Sequence, residues 1–103
     1  MIYTITAIER IDWIVPEGGY PSYGVPWTIG WYDDLIAVRY FINELAGLDV
    51  ALRAYDWIVV EHVEEGVFGE HREREWYRRD SRGQFESVEE PSVLANVINF
   101  AMG

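Results

Sequence analysis

From residue 34 to residue 46 the apolar side chains recur at helical spacing, and on either side they come in short strand-like runs. This switch of period limits the fold more than any other feature. An isolated helix of that length is marginal in water, so it has to lie on the sheet that the flanking runs build. Its stripe is Leu35, Val38, Ile42 and Leu45. Asp33 stands where an N-cap belongs, with a carboxylate placed to accept from backbone N–H groups two or three residues on. Gly47 stands in the C′ position, where a left-handed residue ends a helix. Ile36, Tyr40 and Phe41 widen the apolar surface until only Asp34, Arg39, Asn43 and Glu44 remain polar. A helix this apolar is expected to be covered on more than one side, by a neighbouring loop or by a partner.

Residues 2–14 read as the first strand, with Ile2, Thr4 and Thr6 on one parity and Tyr3, Ile5 and Ala7 on the other. Residues 15–26 form a loop punctuated by Gly and Pro, and residues 27–31 read as a short strand pairing back on the first. Residues 56–65 and 70–80 read as strands joined through a turn at Gly66 and Gly69. Ser81, Arg82 and Gly83 fit a three-residue hairpin loop with Gly in the left-handed position, and residues 84–88 return as a further strand. Pro91 and Ser92 open a final helix whose apolar face is Val93, Leu94, Val97, Ile98 and Ala101. The expected fold is α+β: a small antiparallel sheet of four or five strands packed with two helices, in the order β-β-α-β-β-β-α, as a single domain over residues 1–103. This order matches no family motif.

With 103 residues, half of them hydrophobic, the chain supports one cooperative core, worth about 5–10 kcal/mol net. It has no cysteine, which excludes disulfides, zinc fingers and thiol nucleophiles. It has no lysine, which excludes a phosphate-loop lysine and a Schiff base. Residues 1–6 lack the basic start and long apolar run of a signal peptide, and no stretch approaches the ~20 apolar residues of a membrane span. A cytoplasmic protein is expected.

The formal net charge is −10. Residues 1–71 hold 12 acids and 3 Arg, residues 72–82 hold 3 acids and 5 Arg, and residues 83–103 hold 3 acids and no Arg. Such a surface repels nucleic acid and anionic lipid and attracts basic partners.

Three constellations deserve weighing for chemistry. If the strands around the 66–69 turn pair, Glu65 faces Glu70, Glu64 faces His71 and His62 faces Glu73. His62, Glu64, His71 and Glu73 then share one face, as a metal or acid–base patch would require. Ordinary cross-strand His–Glu pairs on a wet face explain the spacing equally well, and that plainer reading is preferred. Arg72, Arg74, Arg78, Arg79 and Arg82, interleaved with Trp76 and Tyr77, form the only basic stripe. Glu73, Glu75 and Asp80 dilute it, so internal pairing with Glu61 and Glu86 is favoured over a nucleic-acid platform. The loop from Pro16 to Trp27 sets Tyr20, Tyr23 and Trp27 among Gly, Pro and Ser, the composition of binding loops. It serves either as an interface or as a lid on the apolar helix. The serines occupy turn and cap positions, and Asp33-Asp34 and Glu89-Glu90 fall at helix starts, where carboxylates favour the helix dipole.

These readings converge on a non-enzymatic inhibitor that binds another protein and masks a basic, nucleic-acid-binding surface. In physical type it is like anti-defence proteins of phage (anti-CRISPR-like) or immunity proteins of nuclease toxins. The partner-binding candidates are Tyr20, Tyr23, Trp27, Asp33, Asp34, Glu64, Glu65 and Glu70. No cofactor, metal, direct nucleic-acid contact or membrane contact is expected. The alternatives are a structural subunit or homodimer, and a small metal or acid–base enzyme using His62 and His71.

Overall fold

A computed structural model describes residues 2–9, 26–63, 73–91 and 94. The first strand, β1 (Ile2–Ile8), is flanked by β2 (Pro26–Tyr32) and β3 (Trp57–Val63). β4 (Arg74–Arg79) and β5 (Phe85–Val88) complete a five-stranded sheet in the order β2-β1-β3-β4-β5, with antiparallel neighbours throughout. The first strand sits inside because both its parities carry apolar or β-branched side chains. Ile5 and Ala7 are buried on one face, Thr6 and Ile8 on the other.

The expected back-pairing of residues 27–31 on the first strand is present, with one irregularity. Ile5 pairs with Gly30 but Thr6 with Thr28, so Ile29 is an extra residue that bulges β2. Between β3 and β4 the register is the expected one. Glu61 lies opposite Arg74, and the His62 N–H donates to the Glu73 carbonyl at 2.9 Å. The β4–β5 hairpin closes as its residues predict: Gly83 has φ +83°, and the Asp80 carboxylate accepts from the N–H groups of Arg82 and Gln84.

Between β2 and β3 runs α1 (Leu35–Tyr40), which continues through a π-turn (Phe41–Leu45) and a 3₁₀ turn (Ala46–Leu48). Three expectations are corrected here. The N-cap is Asp34, not Asp33: its extended backbone (φ −128°, ψ 118°) and its side chain, 2.9 Å from the Ile36 N–H, start the helix one residue later. Gly47 does not end it in a left-handed conformation, since among the described residues only Gly83 has positive φ. Glycine is needed at 47 because a Cβ there would sit 2.8 Å from the Gly83 carbonyl oxygen. Leu45, assigned to the core stripe, is 47% exposed, and Ala46 is buried in its place.

The helical layer covers one face of the sheet. Val38, Ile42, Ala46 and Leu52 pack there with Ile5, Ala7, Ile58, Val60, Tyr77 and Phe85. On the opposite face Ile8, Trp57, Val59, Trp76 and Leu94 form a second cluster, with Val88 against it. Among the described residues there is one helix. The second, expected from Pro91 onward, falls outside them apart from Pro91 and Leu94, and Leu94 is buried as its assigned face requires.

Candidate functional site

Two groups of side chains stand out on the helix-bearing side of the sheet, one polar and inward, the other apolar and outward. The polar group forms between the flank of α1 and the helix-facing side of β3 and β4, joined by Arg39 and Glu75. Alternation along these strands puts His62, Glu73, Glu75 and Tyr77 on the helix face, beside Tyr3 of β1. Arg39, on the flank of α1, reaches Glu75 with Nη2 2.6 Å from Oε1. His62 stands edge-on to Tyr3 with ring centroids 4.9 Å apart, its Nδ1 3.4 Å from Glu73 and its Nε2 4.0 Å from the second oxygen of Glu75. Burial and the Glu75 charge push the Tyr77 hydroxyl above its ordinary value, against the opposing pull of Arg39. The Glu75 hydrogen bond and charge raise the Arg39 guanidinium in turn.

The cluster ties the helix to the sheet. His62 Nε2 and Glu75 Oε2 are both buried, so neither is open to an incoming molecule. No group of three metal-ligating side chains occurs among the described residues. His62 and Glu73 come together as the register predicts, while Glu64 and His71, the other half of that patch, lie outside the described residues.

Of the basic stripe, Arg72 lies outside the described residues, and two of the others are drawn into the fold. Arg74 is buried against Glu61 (3.2 Å) and also approaches Glu90 (3.5 Å), which fulfils the expected pairing with Glu61. Arg79 turns inward onto backbone carbonyls, and Arg78 lies 5.4 Å from the centre of the Trp57 ring. Trp76 and Tyr77 are buried, so their faces are closed to stacking with bases.

The outward group has a different character. The solvent-facing arc of the helical segment shows Ile36 at 78%, Tyr40 at 59% and Leu48 at 83%, while Trp31, 65% exposed at the end of β2, lies opposite Thr4 on the other face of the sheet. Val50, in the following 3₁₀ turn (Val50–Leu52), is 71% exposed. Among the described residues the sheet side of the helix is covered and its outer side is exposed; residues 15–25 of the loop expected as one such cover lie outside the described residues. Sequence reasoning missed Ile36, Tyr40, Leu48 and Val50 as surface candidates. The signal was the excess apolar circumference of the helix, which by itself leaves buried and exposed outcomes open.

Asp33, Asp34, Glu44 and Asp49 are exposed along this same stretch. Asp34 and Asp49 also cap the turns that follow them, accepting from Ile36 N–H and Ala51 N–H at 2.9 Å. Beside the arc, a cavity of about 200 Å³ opens between Asn43, Glu44 and Leu48 on the helix end and Arg82 and Gln84 on the hairpin. Of the partner-binding candidates, Asp33 and Asp34 are exposed at the start of this arc. Trp27 is 43% exposed, with its ring 5.7 Å from Tyr55, so it is part cover and part surface. Tyr20, Tyr23, Glu64, Glu65 and Glu70 lie outside the described residues.

Comparison with protein-family models, with curated proteins and with solved structures yields no match. No helix among the described residues is long and apolar enough to cross a membrane.

Proposed function

We propose that this chain is a non-enzymatic binding protein that inhibits or neutralises a partner protein by covering a basic surface, of the kind that binds nucleic acid. The role fits anti-defence or toxin-immunity proteins in physical type. The observation that carries it is the exposure of large rings near carboxylates: Tyr40 on the helix and Trp31 on the edge strand's other face stand in solvent, with Asp33 and Asp34 exposed in the segment that joins them. Aromatic anchors supply contact area at low entropic cost, and the net charge of −10 steers encounter with a cationic surface. The apolar side chains between the acids suit protein docking better than imitation of a phosphate row.

The test is capture from lysate at low and at high salt, wild type against Trp31→Ala/Tyr40→Ala. A partner held by charge and rings is lost as salt rises and is lost to the double variant. Capture that ignores both salt and the substitutions would sink the reading.

A second reading, a homodimer or assembly subunit, draws on Leu48 and Val50, aliphatic side chains more exposed than a monomer needs. Light scattering separates the two, since a tight dimer at micromolar concentration accounts for that surface without a foreign partner.

A further inference from the structure

The π-turn at residues 41–45 carries information beyond the exposure of rings. Continued as an α-helix, the segment would place Leu45 on the stripe of Val38 and Ile42 and bury it. The wider π-turn carries the chain past that point, the Ala46 N–H donates back to the Phe41 carbonyl, and Ala46 takes the inward position at 0% exposure while Leu45 emerges at 47%. The fold therefore gives up a buried leucine and an ordinary helical turn and gains an apolar side chain outside. Single π-turns of this kind recur at functional sites, because stability alone does not favour them.

The emergent Leu45 extends a surface that is already apolar. Ile36 and Tyr40 are neighbours at i, i+4, Leu45 follows in the next turn, and Leu48 and Val50 continue it. Asp33, Asp34, Glu44 and Asp49 border or interrupt this strip and are all exposed. The one cation between residues 33 and 49 is Arg39, whose guanidinium is held by Glu75 on the flank. The surface is thus an aliphatic and aromatic strip rimmed by four exposed carboxylates, with Arg82 of the hairpin lining the cavity next to Glu44 and Leu48. A second copy of the chain would bring rim against rim, carboxylate facing carboxylate, which the charge pattern opposes.

From this we infer that the outer arc from Ile36 to Val50, completed by the π-turn, is the docking surface, and that its occupant is a protein groove with an apolar floor and Lys or Arg along its edges. This rests on the binding reading above and deepens it. The helical segment lies in the groove as an amphipathic ligand, with Ile36, Tyr40, Leu45 and Leu48 as anchors. Carboxylates on its borders meet the basic edges.

The test uses a labelled amphipathic peptide of Leu and Lys as the probe for such a surface. Controls are a scrambled Leu/Lys peptide of the same composition and an amphipathic Leu/Glu peptide. Anisotropy titration is expected to show binding of the amphipathic Leu/Lys peptide alone. Leu45→Ser/Leu48→Ser should weaken it at least tenfold with an unchanged circular dichroism spectrum and melting temperature. Asp33→Asn/Glu44→Gln/Asp49→Asn should weaken it several-fold and flatten its salt dependence.

Equal binding of the scrambled peptide, or full binding by the Leu45/Leu48 variant, overturns the inference. A wild-type dimer that the same variant dissociates also overturns it, in favour of a second copy. If the peptide result fails while salt-sensitive capture from lysate persists, the binding reading stands and the surface lies elsewhere. If both fail, the binding reading falls as well.

Discussion

The Arg79 guanidinium lies against the Leu52 carbonyl, with Nη2 2.7 Å from the oxygen, and so joins the fourth strand to the turn that follows the helix. The same group donates to the carbonyls of Tyr55, Gly83 and Gly47, at 3.1, 2.8 and 3.4 Å, and stands 4.4 Å from the centre of the Phe85 ring. The Leu52 carbonyl already accepts from the Tyr55 N–H at 3.0 Å, and a planar fork with five donors adds a charged bond to it while meeting the other carbonyls at the same time. The far end of the exposed apolar arc, Leu48 and Val50, adjoins the turns held by these bonds.

Arg79→Ala is expected to destabilise the protein by about 3 kcal/mol, because it strips several carbonyls of a charged donor. Arg79→Lys should recover less than half of that, since an ammonium lacks the fork geometry. Urea unfolding measures both. Equal stability of Lys and Arg at 79 would show that charge, not shape, is what matters there.

Gly47→Ala tests the close approach of the helix end to the hairpin. Its Cβ would meet the Gly83 carbonyl oxygen at 2.8 Å, and both partners are backbone, so something must shift. The cost is expected at about 1–3 kcal/mol, outweighing the gain of about 1 kcal/mol in helix propensity. Gly30→Ala is the control: nothing lies within 4 Å of its Cβ, and its φ is not positive. A change within about 0.5 kcal/mol is expected there.

Glu61 is fully buried, and its Oε2 lies 3.2 Å from Arg74 Nε. Glu61→Leu alone leaves a buried guanidinium short of a partner and is expected to cost about 3–5 kcal/mol. Glu61→Leu/Arg74→Met removes both charges and should recover most of that loss. A double-mutant cycle in urea reads the coupling; a double variant as unstable as the single one would assign the loss to packing instead of charge.

Tyr77 gives the protein a pH response on the alkaline side. Burial and Glu75 raise its pKa above the ordinary value of 10.0. Below that value the hydroxyl is protonated in both folded and unfolded chains, and its contribution is fully present. As the pH climbs past it, the unfolded chain gives up its proton first, so stability falls until the folded hydroxyl ionises as well. Urea midpoints at about pH 8 and about pH 10.5 should therefore diverge more for wild type than for Tyr77→Phe. Identical pH slopes for the two would show that Tyr77 does not carry the response.

Much of the architecture was legible before any coordinates. The strand pairing of residues 27–31, the β3–β4 register and the left-handed Gly83 all follow from period and turn chemistry, which act over a few residues. The candidate site was legible only in part. Asp33 and Asp34 were recognisable as acids at a helix start, but the excess apolar surface of the helix had two outcomes, covered or open. Which one holds depends on how the helix sits on the sheet.

What the residues settled alone is the mixed α+β class, the antiparallel hairpin pairings and the strongly negative charge, because each is a property of local pattern or of summed charge. The pairing of β1 with β3 came only with the tertiary structure. What the tertiary structure decided is where those patterns give way. Arg79 looks like part of a basic surface stripe until three carbonyls from distant turns, and a fourth from its own hairpin, receive it. Gly47 looks like a helix stop until the hairpin arrives against it. Leu45 looks like core until the π-turn brings Ala46 inward instead. In each case the deciding partner lies far along the chain or the backbone departs from its ordinary geometry, and a local reading contains neither.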